Sequence, residues 1–284
     1  MRLAVEHHER FVLERWVLRP GGGLGPIPAL VSRPAGDGKA PAILYCHAHG
    51  NRHAIGKDEL VAGRPALLRP YAEDLARAGF AALCIDLPCF GERIEPGESA
   101  LSKALLWRGE TLFGRMIAEL RAALGWLAGR SDIDSARLGT LGLSMGATLS
   151  WWVAALDRRV AAVAELCCLA DLATLVASGA HDLHGPYMTV PGLLREFQTA
   201  DIAGLIAPRP HLACVGLADP LTPPAAVAVV DAALAARYRA CGAPEAWSLR
   251  REPASGHVET PGMRAAVLAF LNRHLGAAST ASGR

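Results

Sequence analysis

The run GTLGLSMGATLSWWVAAL, residues 139–156, constrains this chain more than any other stretch. An apolar strand-like segment reaches one serine, Ser144, flanked by Gly142 and Gly146, and passes at once into a helix-like pattern. A side chain on a sharp strand-to-helix turn is lifted clear of the sheet, and the cramped backbone admits only small residues two positions either side. The first N–H groups of the following helix aim at the same spot, where a developing negative oxygen can be held. Ser144 is thus a candidate nucleophile, set against the plainer role of a serine that caps a helix.

A strand that feeds a helix implies a fold of alternating elements. Residues 10–20 and 27–34 read as strands around the turn GGGLGP, and 40–50 (APAILYCHAHG) as a third strand running into a polar loop. The segment 64–80 is helical in pattern, 81–88 is a buried strand, and 99–129 is a long helical region broken near Gly109 and Gly114. Further strands are predicted in 137–144, 160–168, 211–219 and 246–252, with helices over 145–157, about 223–240 and 261–275, and an irregular stretch from Asp171 to about Gln198. This alternation predicts an α/β fold, a mostly parallel sheet with helices on both faces. With 284 residues, 51% of them hydrophobic, the chain can bury one large core. No repeat or dividing linker is visible, so the reading is a single domain over residues 1–275 and a disordered tail, GAASTASGR, over 276–284.

Charge and cysteine usage exclude several classes. The formal net charge is +2, with 29 basic residues scattered among 27 acidic ones, so neither nucleic acid nor an acidic membrane is an expected partner. No stretch approaches the ~18 uninterrupted apolar residues of a membrane span. The charged start MRLAVEHHERFVLERW lacks a signal-peptide core, and the expected location is cytoplasmic. The seven cysteines, Cys46, Cys84, Cys89, Cys167, Cys168, Cys214 and Cys241, include no CxxC pair and read as thiols rather than disulfides or a zinc site.

A serine attacks at neutral pH only if a base takes its proton, and histidine has the matching basicity. Of ten histidines, His257 alone lies in a glycine-containing loop after the last strand, in REPASGHVETPG, whereas His274 falls within the closing helix. The base needs an acceptor to fix its tautomer. Asp219, closing the strand HLACVGLAD, is the favoured acid; Asp171 is its rival, with helix capping as the alternative role. An oxyanion pocket needs two N–H donors, and the loop HAHGN suggests Asn51 beside Met145. In the same loop His47, His49 and His53 alternate as zinc ligands can, but no carboxylate or cysteine set accompanies them in sequence, so no metal is assigned. Candidate substrate contacts are His49, then His181, His184, Tyr187 and Met188 in the irregular stretch, which would wall the pocket. Trp107 and Arg108 would form a cap, with Arg108 meeting an acidic substrate or making a surface ion pair.

The motifs GLSMG, HAHGN, IDLPCFGER, IAPRPHLACVGLADP and SGH, in this order across about residues 10–275, resemble the α/β-hydrolase superfamily, in particular its dienelactone-hydrolase-like and acetyl-xylan-esterase-like branch. The resemblance implies a sheet of about eight strands and a serine esterase acting on a small-molecule ester, with Ser144, Asp219 and His257 as nucleophile, acid and base and no cofactor or metal. Two departures stand out. Dienelactone hydrolases proper carry cysteine at the elbow, so Ser144 points to esters or acyl groups in general, and the HGGG run of lipase-like relatives is absent. The alternatives are an amidase or peptidase with the same triad, or a non-catalytic binding protein on the same fold. Oligomeric state is not legible.

Overall fold

The computed structural model describes residues 1–36 and 38–276. A nine-stranded sheet runs in the order β1-β2-β3-β5-β4-β6-β7-β8-β9. The strands are β1 (Arg2–His7), β2 (Phe11–Leu18), β3 (Ile27–Pro34), β4 (Ala40–Cys46), β5 (Ala81–Ile85), β6 (Ile133–Leu143), β7 (Val160–Leu166), β8 (His211–Gly216) and β9 (Trp247–Glu252). Pairings from β1 through β3 to β5 are antiparallel, and all those from β5 through β4 to β9 are parallel.

The α-helices among the described residues are α1 (Glu59–Ala62), α2 (Ala72–Arg77), α3 (Glu98–Leu106), α4 (Leu112–Ala128), α5 (Met145–Leu156), α6 (Leu172–Ser178), α7 (Leu193–Glu196), α8 (Thr199–Ala203), α9 (Pro224–Ala240) and α10 (Pro261–Leu275). Successive strand residues point to opposite faces, so the central strands feed two cores. Leu44, Leu138 and Val163 pack with Leu120 of α4, Val153 of α5 and Leu234 of α9. Ile43, Leu141 and Ala164 pack with Leu75 of α2 and Leu271 of α10. Burial on both faces explains why β4, β5 and β7 read as near-continuous apolar runs rather than alternating ones.

The fold is the expected α/β one, and the differences have local causes. All six residues of β1, Leu3 and Val5 among them, are exposed, and the sequence reading did not include this edge strand. In 64–80 only α2 is regular over six residues or more. The helical region breaks at Gly109, where φ is 74°, but not at Gly114, which lies inside α4 with its N–H held by the Thr111 hydroxyl (2.9 Å). The stretch from Asp171 carries the short helices α6 and α7. The tail reading for residues 276–284 falls, apart from Gly276, outside the described residues. No helix among the described residues is long and apolar enough to cross a membrane. Because β4 to β9 run parallel, their carboxyl ends share one edge, and the loops leaving that edge collect there.

Candidate active site

Ser144 stands between the end of β6 and the start of α5 with φ 57° and ψ −123°, a backbone conformation that costs a non-glycine residue about 1–3 kcal/mol. The strain is imposed by packing. A methyl on Gly146 would overlap the Cys46 carbonyl oxygen, and one on Gly142 would overlap the Gly146 backbone. The elbow therefore lies against the end of β4, which brings the loop starting at His47 beside the first turn of α5. The Ser144 N–H donates to Leu166 O (2.9 Å), fixing the elbow to the end of β7. Ser144 makes no side-chain cap to α5, so the helix-cap role does not account for it.

The loops after β8 and β9 meet at the same edge. His257 Nδ1–H donates to Asp219 Oδ2 (2.7 Å), which leaves Nε2 with the lone pair. Asp219, 2% exposed, is held in turn by the Leu221 N–H on Oδ1 (2.9 Å) and the Thr222 hydroxyl on Oδ2 (3.0 Å). Gly216 leaves no room for a side chain beneath the Ser255 and Gly256 carbonyls, so the His257 loop rests directly on the end of β8. The thiol of Cys167, next after β7, reaches Val258 O (3.7 Å) and links this loop to the strand that holds the elbow. Asp171 takes its alternative role: its side chain accepts the Thr174 N–H (2.9 Å) and caps α6.

The loop after β4 departs from the sequence reading. The Asn51 N–H is not free for an oxyanion, because it donates to His49 Nδ1 (3.1 Å). Since Nδ1 accepts there, the His49 proton sits on Nε2 and is donated to Glu98 Oε2 (2.9 Å). The other Glu98 oxygen accepts the Tyr187 N–H (3.2 Å), and the Tyr187 ring stacks on His49 at 5.6 Å. The Met145 N–H is the first of α5 and has no intrahelical acceptor. The His49 N–H likewise has no hydrogen-bond acceptor among the described residues.

The three histidines do not act as one set. His47 is fully buried, with Nδ1–H on Ala48 O (3.1 Å) and Nε2 accepting the Leu87 N–H (3.3 Å). Burial pushes its basicity down to about 3, so it is neutral. A carboxylate absent from the local sequence does join the other two: ligand-type atoms of His49, His53 and Glu98 lie within 4.8 Å of one another. With the Asn51 N–H on Nδ1, the His49 proton sits on Nε2 and is donated to Glu98, so in this structure the group is a hydrogen-bonded cluster.

Two residues that sequence reasoning missed brace this loop. Glu59 accepts the Ala48 N–H (3.0 Å) and pairs with Arg64, which donates to Ala48 O (2.7 Å). Only their spacing of five residues hints at a pair. His181 and His184 line one cleft with Met188, where His184 Nε2–H donates to Leu221 O (3.0 Å). Burial and the neighbouring His257 push His184 below the usual imidazole range. Trp107 and Arg108 do not join this cleft: Trp107 is 90% exposed, and Arg108 lines a separate hollow with Arg93 and Glu119.

Residues 27–180 match the model of the dienelactone hydrolase family. Over 274 residues, 96% of this chain and 91% of the relative, the chain is 36% identical to the Bacillus subtilis (strain 168) protein named "Putative hydrolase YtaP". Among solved structures it is similar to the glucuronoyl esterase from Solibacter usitatus, with TM-score 0.73, 15% identity, and 97% of this chain and 86% of that one covered. It is also similar to the acetyl xylan esterase from Paenibacillus sp. R4, with TM-score 0.70, 19% identity, and 97% and 88% covered.

Proposed function

The chain belongs to the dienelactone hydrolase family, and on that premise we propose that it is a serine esterase that cleaves carboxylic esters through an acyl-enzyme. Residues 1–275 act as one catalytic domain. The observation that carries the reading is the 2.7 Å bond from His257 Nδ1 to the buried Asp219, on a loop tied to the strand that holds the Ser144 elbow. With Nδ1–H committed to the carboxylate, Nε2 is the free base.

In the proposed reaction His257 Nε2 takes the Ser144 proton while Oγ bonds to the ester carbonyl carbon. The tetrahedral oxyanion is held by the Met145 N–H at the start of α5 and by a second N–H from the loop after β4. We assign that second donor to His49 rather than Asn51, because the Asn51 N–H is already engaged. The imidazolium, steadied by Asp219, then protonates the leaving alkoxide and the acyl-enzyme remains. Water, deprotonated by the same imidazole, releases the acid and restores Ser144.

A fluorophosphonate probe tests this reading. The wild-type protein is expected to label with one equivalent and lose esterase activity in step, and Ser144→Ala to do neither. Unlabelled wild-type protein, or a labelled Ser144→Ala variant, would remove Ser144 from the chemistry.

A further inference from the structure

A cleft of about 630 Å³ opens between α6 and the segment that follows it, lined by Leu172, Leu175, Val176, Met188, Leu193 and Leu194. Small-molecule sites span roughly 300–1,000 Å³, so a ligand-sized group fits. His181, Asp182, His184, Thr189 and Arg195 also line it, and several of its apolar side chains stand open to solvent. Val176 is 51% and Leu194 36% exposed, and Leu183 and Phe197 on the same segment are 56% and 51% exposed. Large apolar side chains left to solvent as a group mark a binding surface, whereas single ones do not.

The cleft borders the proposed site, since Gly185 of its wall lies against the His49 ring. His184 forms part of its wall and donates to Leu221 O (3.0 Å), and the Leu221 N–H donates to Asp219 Oδ1 (2.9 Å). The other Asp219 oxygen holds His257. The wall thus stands two hydrogen bonds from the carboxylate, on the imidazole side of the site. In the proposed reaction the leaving alkoxide takes its proton from that imidazole, so the group it carries lies on that side as well.

Resting on the serine-esterase reading, we infer that this cleft is the subsite for the alcohol half of the ester, and that this half is a medium-sized alkyl or aryl group. Leucine, valine and methionine side chains offer its carbons apolar contact along one wall, while His181, Asp182 and Arg195 line the remainder. Each methylene transferred into such a cleft improves kcat/KM by about fourfold until the cleft is full.

The test compares two matched series on the full chain. One is acetate esters whose alcohol lengthens from methyl to hexyl; the other is methyl esters whose acyl chain lengthens by the same steps. Wild-type kcat/KM is expected to climb twofold to fourfold per methylene in the acetate series and more steeply there than in the acyl series. Val176→Lys and Leu194→Lys, both at exposed positions, are expected to flatten the acetate slope, with thermal melting used to confirm folding. A flat acetate series, a steeper acyl series, or a slope retained in both variants overturns the subsite. Fluorophosphonate labelling separates the two levels: a labelled enzyme with the wrong series loses only the subsite, and an unlabelled, inactive enzyme loses the esterase reading with it.

Discussion

His47 and His257 show how partners and burial give one residue type opposite uses. His257 is partly exposed and hands one ring nitrogen to a carboxylate, keeping the other free. His47, fully buried, spends both nitrogens on the backbone and is pushed down to about 3 by burial. An unfolded histidine titrates near 6.5, so between these values the unfolded chain binds a proton that the folded chain refuses. The resulting stability is fully present above about pH 6.5 and is lost as pH falls toward 3, by up to ~1.4 kcal/mol per unit. Urea unfolding at pH 7 and pH 5 is expected to show wild-type protein losing about 2 kcal/mol more than His47→Gln. Equal losses in the two proteins would mean that His47 is not held neutral.

At the scale of elements, the contact of α5 with the end of β4 sets the elbow. Alanine favours a helix over glycine by about 1 kcal/mol, yet a methyl at Gly146 meets the Cys46 carbonyl, and overpacking of this kind costs about 1–3 kcal/mol. Gly146→Ala is therefore expected to melt at a lower temperature and to lose more than tenfold in kcat/KM, because relieving the clash shifts Ser144 and Met145 together. Wild-type activity and melting in that variant would contradict the packing account. The elements legible in the sequence were those with strong periodicity and clear punctuation: β3 and α10 fall at their expected bounds, Ile27–Pro34 and Pro261–Leu275. The contact between Asp219 and His257 was legible because each residue follows a strand at the same edge of the sheet. Glu98 was not, since the His49 it holds lies 49 residues away and nothing local pairs them. Nor was β1, all of whose residues are exposed.

At the scale of the molecule, two buried ionic groups hold two of the loops that form the candidate site. Glu59 and Arg64 bracket Ala48 in the loop after β4. Glu259, two residues beyond His257, accepts from Arg264 (2.6 Å), from the Tyr71 hydroxyl (2.5 Å) and from the Leu68 N–H 191 residues earlier (3.1 Å). Arg264 continues to Asp74 of α2 (2.7 Å), so the His257 loop is fastened to the first half of the chain. Removing one partner of such a buried pair leaves the other uncompensated, which makes these groups holders of position more than sources of stability. The whole arrangement serves the carboxyl edge of the sheet, where β6, β7, β8 and β9 deliver Ser144, Cys167, Asp219 and His257. The most direct test is to quench the first turnover of an activated acetate ester in acid and to locate the acetyl group by mass spectrometry. The account predicts one acetyl per chain, on Ser144, formed as the alcohol is released and absent in His257→Ala. Ester hydrolysis that leaves Ser144 unmodified and proceeds undiminished in Ser144→Ala would contradict it.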